Sequence, residues 1–315
     1  MTITVRLNSD ILIDILRLLD RYKLDKISFT NRQFSAVIQT HLSSVPFRFL
    51  PYFFVNLTES NAQLEIINPN VPRWAKKKGN FEDLLPFCRD QSTKADLTIL
   101  RLSPQGDAEN VNLLEKLTHI WKENSLHILF LDPKEEMKLD EIVKRQKELF
   151  HRLFNLPPGT LNCAKLVLCL PDTPPKTMYN FKHYPALYDS PEVTFTATEH
   201  YFNGDDFIEY LHSIPENRQN NLAIRLNLYW KSMPELWIFD FDLFLGKIKQ
   251  RFELATVPLS FRLVCYSSWH PTVELFEATN GTTSECFRVS QGDVPTDDRC
   301  FVIERFKISD LAGND

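Results

Sequence analysis

Leu236-Trp237-Ile238-Phe239-Asp240-Phe241-Asp242 comes closest, in residue type and spacing, to a reaction centre. An apolar strand that ends in two aspartates one residue apart suits magnesium-dependent phosphoryl transfer. Asp240 would be the nucleophile and Asp242 the acid/base beside the metal. Two features argue against that chemistry. Phe244 stands where such a site carries threonine or valine, and no second acidic pair falls into place. At helical spacing Leu236, Phe239, Leu243 and Ile248 instead make one apolar face, with the aspartates on its flank.

The remaining reactive residues are scattered. Gly204-Asp205-Asp206 reads as a helix start and Asp297-Asp298 as a turn. Cys163 with His183 or His200 would make a nucleophile pair, but core and surface roles suit those residues better. There are eight glycines, the closest two being Gly281 and Gly292, so no glycine-rich phosphate loop or GxSxG elbow can form. The closest histidines, His119 and His127, exclude HExxH, and no cysteines form CxxC. We therefore expect no enzyme activity, metal or cofactor.

The 315 residues are 43% hydrophobic and 24% charged, a globular composition with ample core for one large or two ordinary domains. A net charge of −5 gives no general footprint for nucleic acid. Lys76-Lys77-Lys78 reads as a solvated loop rather than an RNA or membrane contact. Asp10, Asp14 and Asp20 interrupt the first apolar stretch, so it does not read as a signal peptide. No window reaches the ~18 apolar residues of a membrane span. The expected location is cytoplasmic or nuclear, with six reduced cysteines, mostly in the core.

The elements that must position any site fall into two parts. Residues 1–46 read as three short helices, Leu7–Leu19, Arg21–Phe29 and Asn31–Leu42. In the first, Ile11, Leu12, Ile13, Ile15, Leu16, Leu18 and Leu19 cover more than half the circumference. A surface helix needs only a stripe of ~100°. The excess must be covered by the rest of the chain or by another protein.

Residues 47–315 alternate. Strand-like runs occur at Phe47–Leu57, Asp96–Leu102, Leu126–Leu131, Lys165–Leu170, Val193–Thr198, Leu222–Tyr229 and Leu259–Tyr266. Helical patterns occupy Asn112–Asn124, Glu135–Phe154, Asp205–Ser213 and Pro234–Phe252. From residue 97 the strand starts lie about 30 to 40 residues apart, room for one crossover helix each. The expected fold class is α/β, with a parallel sheet. The even spacing leans toward an irregular leucine-rich-repeat-like solenoid. The strict leucine/asparagine signature is absent, so an open, doubly wound parallel sheet also fits. Val273–Ala278, Glu285–Val289 and Phe301–Ile308 predict a closing antiparallel meander, with a turn at Asn280-Gly281.

The N-terminal segment carries Leu7-Asn8-Ser9-Asp10-Ile11-Leu12, Ile15-Leu16, Leu18-Leu19-Asp20, Leu24, Ile27 and Thr30-Asn31-Arg32-Gln33-Phe34. It resembles the F-box motif, above all that of the expanded nematode F-box families. Phe301-Val302-Ile303-Glu304-Arg305-Phe306 is similar to part of the domains associated with that group. Asn8 replaces the family's proline, Thr30-Asn31 its valine-cysteine pair, and the terminal tryptophan is absent. Asn8 or Ser9, and Asn31, can still cap their helices.

The resemblance implies a substrate receptor that joins a Skp-family adaptor, and through it a cullin-based ubiquitin ligase, to a protein target. The family positions map to Leu7, Ile11, Leu12, Ile15, Leu16, Leu19, Leu24, Ile27 and Phe34. Of these, Leu12, Ile15, Leu16 and Leu19 are the expected anchors of the adaptor interface. A stand-alone interaction protein without adaptor binding is the alternative, and a phosphotransferase using Asp240 and Asp242 a further one.

Overall fold

The computed structural model describes residues 12, 13, 15, 16, 19, 24, 27, 32–42, 48–59, 61–67, 76–88, 93–133, 137–171, 178–198, 202–219, 222–229, 240–267, 275–292 and 299–311. Among the N-terminal residues, Leu12, Ile13, Ile15, Leu16, Leu24 and Ile27 are helical, and α1 spans Arg32–His41. The remainder of the first two expected helices lies outside the described residues.

Among the described residues, twelve strands form one mixed, mostly parallel sheet. They are β1 (Arg48–Leu57), β2 (Gln63–Ile67), β3 (Lys76–Asn80), β4 (Thr93–Leu102), β5 (Ser125–Phe130) and β6 (Lys165–Cys169). They continue with β7 (Glu192–Thr198), β8 (Ala223–Tyr229), β9 (Phe261–Ser267), β10 (Phe276–Asn280), β11 (Glu285–Gln291) and β12 (Arg299–Lys307). The spatial order is β10-β11-β12-β9-β8-β7-β6-β5-β4-β1-β2-β3.

From β1 through β4 to β9 every neighbouring pair is parallel, and each new strand joins the same edge. A doubly wound sheet reverses direction at a switch point, and this run contains no reversal. Right-handed crossovers that all advance one way place their helices on one face. The helices are α2 (Phe81–Cys88), α3 (Thr118–Trp121), α4 (Leu139–Phe154), α5 (Gly204–Leu211) and α6 (Phe241–Glu253). Aromatic pairs record that shared face. Phe150 of α4 lies 5.6 Å from Phe130 of β5, Phe207 of α5 lies 5.2 Å from Phe195 of β7, and Phe252 of α6 lies 5.3 Å from Phe287 of β11.

Alternation within the strands fixes which residues turn to the helices. In β5, Leu126, Ile128 and Phe130 are buried, whereas Ser125, His127 and Leu129 are less so. In β8, Ile224, Leu226 and Leu228 are the buried set. They join one large core with the apolar faces of the helices.

Several elements differ from expectation. β2, β3 and α2 carry weak sequence signals. The lysine run forms edge strand β3 rather than a loop, with Lys78 paired opposite Glu65. Its backbone completes the ladder of β2, and a lysine-rich edge discourages further strand addition. The expected helix over Asn112–Asn124 is a 3-10 segment, Ala108–Leu117, followed by α3. Asp107 caps that segment by accepting from Glu109 N at 2.9 Å. α4 starts at Leu139, four residues later than expected, and α6 at Phe241. The meander β10-β11-β12 runs back toward the body, so β12 pairs with β9. Asn280 begins its first turn, accepting from Thr282 N and donating to Phe252 O of α6, at 2.9 and 2.7 Å.

No helix among the described residues is long and apolar enough to cross a membrane.

Candidate functional site

Among the described residues, those of the N-terminus have an apolar cluster of their own, distinct from the core of the sheet. Leu12, Leu16, Leu24, Val37, Ile38 and Leu42 are buried in it. Ile13, Leu19, Ile27 and Phe34 pack against it and stay partly exposed. Helix geometry explains the division. Leu12 and Leu16 are four residues apart on one face, while Ile15 sits ~60° from Leu12 and ~100° from Leu16. Ile15 is 47% exposed. Leu12 and Leu16, expected as adaptor anchors, therefore fill the interior, because Val37 and Ile38 of α1 and Leu42 just after it pack in the same cluster. Ile15 is the expected anchor left at the surface, flanked in sequence by the partly exposed Ile13 and Leu19. Leu7 and Ile11 lie outside the described residues.

The second face of the sheet carries no described helix. Its residues alternate with the buried set. At one level the register aligns Lys165, Glu192, Ala223, Arg262, Glu304 and Arg288 on β6, β7, β8, β9, β12 and β11. The charges interlock: Lys165–Glu192 at 2.9 Å, Arg262–Glu304 at 3.3 Å and Arg288–Glu277 at 2.9 Å. Arg225, one level along, reaches Glu192 at 2.8 Å. Such part-exposed pairs are each worth only ~0–1 kcal/mol, so they pattern the surface more than they stabilise it. The neighbouring level holds Ile99, His127, Val167, Thr194, Arg225 and Val264. Burial, and then the nearby Lys165, lowers the His127 pKa and favours the neutral ring. Val264, Cys300 and Val302 form a small apolar cluster on this face.

The reactive residues weighed from sequence have structural uses. Asp240 is the N-cap of α6, accepting from Leu243 N at 2.8 Å. Asp242 is exposed in the first turn. Asp205 bonds Lys247 Nζ at 2.6 Å. Asp206, 2% exposed, accepts from the backbone N–H groups of Tyr179, Asn180 and Phe181 at 2.6, 2.9 and 3.1 Å. Cys163 is buried, 3.3 Å from Ser190 Oγ, and burial raises its thiol pKa, whereas His183 is exposed. His200 and Asp297-Asp298 lie outside the described residues. Five of the six cysteines are buried.

Among the described residues no three histidines, cysteines or acids gather as a metal site. A cleft of about 460 Å³ opens where the loop after β4 meets α4. Its charges are already spent: Arg152 bonds Glu109 at 3.0 Å and Glu148 at 3.3 Å, and Arg145 bonds Glu141 at 3.0 Å.

Sequence reading missed the residues of the second face. Each strand contributes one or two polar side chains among apolar ones. They align only once the register of strands roughly 30 residues apart is known.

No protein-family model, curated protein or solved structure matches the chain.

Proposed function

We propose that the chain is a two-part interaction protein, a substrate receptor of a Skp–cullin–F-box ubiquitin ligase. Residues 1–46 are read as the F-box-like unit that docks a Skp-family adaptor. Residues 47–315 are read as the part that holds a protein target on a leucine-rich-repeat-like sheet. The receptor has no chemistry of its own; it works by raising the effective concentration of target beside the ligase.

The observation that carries this reading is the separate N-terminal apolar cluster with Ile15 on its outside. A helical cap serving only the sheet would be expected to join its apolar residues to the sheet core. In this reading Leu12, Leu16 and Leu24 hold the unit together. Ile15, with the partly exposed Leu19, Ile27 and Phe34, supplies the contact. Leu7 and Ile11 keep the role given by the F-box resemblance alone.

One observation favours the stand-alone module instead: Leu12 and Leu16, two of the four expected anchors, are already consumed internally. Co-expression with a Skp-family adaptor separates the two readings. Recovery of a one-to-one complex supports the receptor. A folded chain that elutes alone supports the stand-alone module.

A further inference from the structure

The centre of the second sheet face holds more positive charge than its acids neutralise. Lys165 Nζ and Arg225 Nε lie 2.9 and 2.8 Å from the same oxygen, Oε1 of Glu192. Two cations thus share one carboxylate. Arg101, on β4, rests 4.4 Å above the Phe54 ring and donates to Asn56 Oδ1 at 3.4 Å. Among the described residues it pairs with no acid. Toward β12 and β10 the balance is one to one, in Arg262–Glu304 and Arg288–Glu277.

Two polar atoms beside Arg225 are also left over. Thr194, the register partner of Arg225, is 3% exposed, and its Oγ1 has no hydrogen-bond partner. Asn227 Oδ1, two residues along β8, is shielded from solvent and equally unpartnered. Leaving such atoms unbonded is costly, so a ligand that bonds them gains on association. The requirement is specific: cations want an anion, and Asn227 Oδ1 wants a donor. A polypeptide backbone has N–H donors, and acidic side chains bring carboxylates. A phosphodiester backbone is an acceptor only, and the six to ten phosphate contacts typical of nucleic-acid binding exceed the surplus charge here.

We propose that this centre binds an acidic, extended segment of a partner polypeptide. Its carboxylates meet Arg225, Lys165 and Arg101, and a peptide N–H meets Asn227. Arg101 and Arg225 are four strands apart, ~19 Å at ~4.8 Å per strand, which about six extended residues span. The inference rests on the reading of residues 47–315 as the target-binding part, and names the class of target.

The test uses the full chain and fluorescence anisotropy. Three labelled probes are compared: an octapeptide alternating glutamate with leucine, the same peptide with lysine for glutamate, and an eight-nucleotide oligo(dT). The acidic peptide is expected to bind about tenfold more tightly than either of the others, less so as salt rises. Arg225→Gln and Arg101→Gln are each expected to weaken it about fivefold with thermal melting unchanged. Arg101 makes no ion pair among the described residues, so Arg101→Gln stands as the variant if Arg225→Gln fails to fold. Equal affinity for the two peptides, tighter binding of the oligonucleotide, or folded variants with undiminished affinity would overturn the proposal. Adaptor co-purification on the same samples keeps the two ideas apart. A complex without peptide selectivity sinks this inference alone, and selectivity without a complex sinks the adaptor reading alone.

Discussion

Arg305 Nη2 lies 2.8 Å from Glu285 Oε2, with the two side chains 1% and 0% exposed. The pair sits on the helix-covered face, with Arg305 above the Phe252 ring at 5.3 Å. Its leftover atoms are used: Leu259 N donates to Glu285 Oε1 at 2.7 Å, and Arg305 donates to Val257 O at 3.1 Å. A buried pair bonded in this way clamps the loop between α6 and β9 to the meander.

Breaking the pair from one side leaves a buried charge without its counterion. Arg305→Met and Glu285→Leu should each cost about 3–5 kcal/mol, while the double variant should cost clearly less than their sum. Urea denaturation of the four proteins checks this. Strict additivity would mean that the pair is not coupled.

His212 follows α5, and its Nε2 is buried without a partner. Burial, then Arg251 and Arg305, lower its pKa from 6.5 to about 4. A base with a lowered folded pKa is bound to fewer protons when folded. Its contribution is present above pH 6.5 and is lost as pH falls toward 4. The loss should reach about 2–3 kcal/mol. Relative to His212→Gln, the parent should lose stability across that window. A pH-independent difference would refute the assignment.

Asp206 shows the opposite sign. Burial raises its pKa, against three backbone N–H bonds and Lys182, which lower it. An acid with a raised folded pKa contributes stability below its unfolded value of 3.8 that is lost as pH rises through the folded value. The advantage of the parent over Asp206→Asn should therefore shrink as pH rises from below 4. Asp206→Ala, which orphans three N–H groups, should be less stable than Asp206→Asn by about 2–4 kcal/mol at every pH. Thermal melts across pH measure both.

Gly106 follows β4 in the turn closed by its N–H to Ser103 O at 2.8 Å. A Cβ there would stand 2.2 Å from Leu57 O, a backbone atom that cannot rotate away. Gly106→Ala should cost about 1–3 kcal/mol in chemical denaturation. An unchanged midpoint would show that the turn is free to shift.

Periodicity made most of the sheet legible, because the strands from β4 to β9 carry strong apolar signals. It failed at β3, where Lys-Lys-Lys-Gly-Asn has no strand character and gains it only by pairing with β2. It also placed α6 too early: Pro234 suits a first turn, but the cap is Asp240. The N-terminal helix showed its apolar excess in sequence, yet not which residues would face outward. Packing against Val37, Ile38 and Leu42 sends Leu12 and Leu16 inward and leaves Ile15 outside. The charged centre of the second face was invisible for a related reason. Glu192 meets Lys165 and Arg225 only through register across three strands.

Docking of a Skp-family adaptor by the N-terminal unit, on which the proposed function depends, is measured by calorimetric titration of the adaptor into the full chain. Three samples matter: the parent, Ile15→Asp, and Leu243→Asp, which changes an exposed leucine of α6 far along the chain. Saturable one-to-one binding to the parent is expected, with a loss of at least ~2 kcal/mol in Ile15→Asp and no change in Leu243→Asp. A folded parent that gives no heat of binding, or an Ile15→Asp variant that binds as tightly as the parent, would contradict this docking.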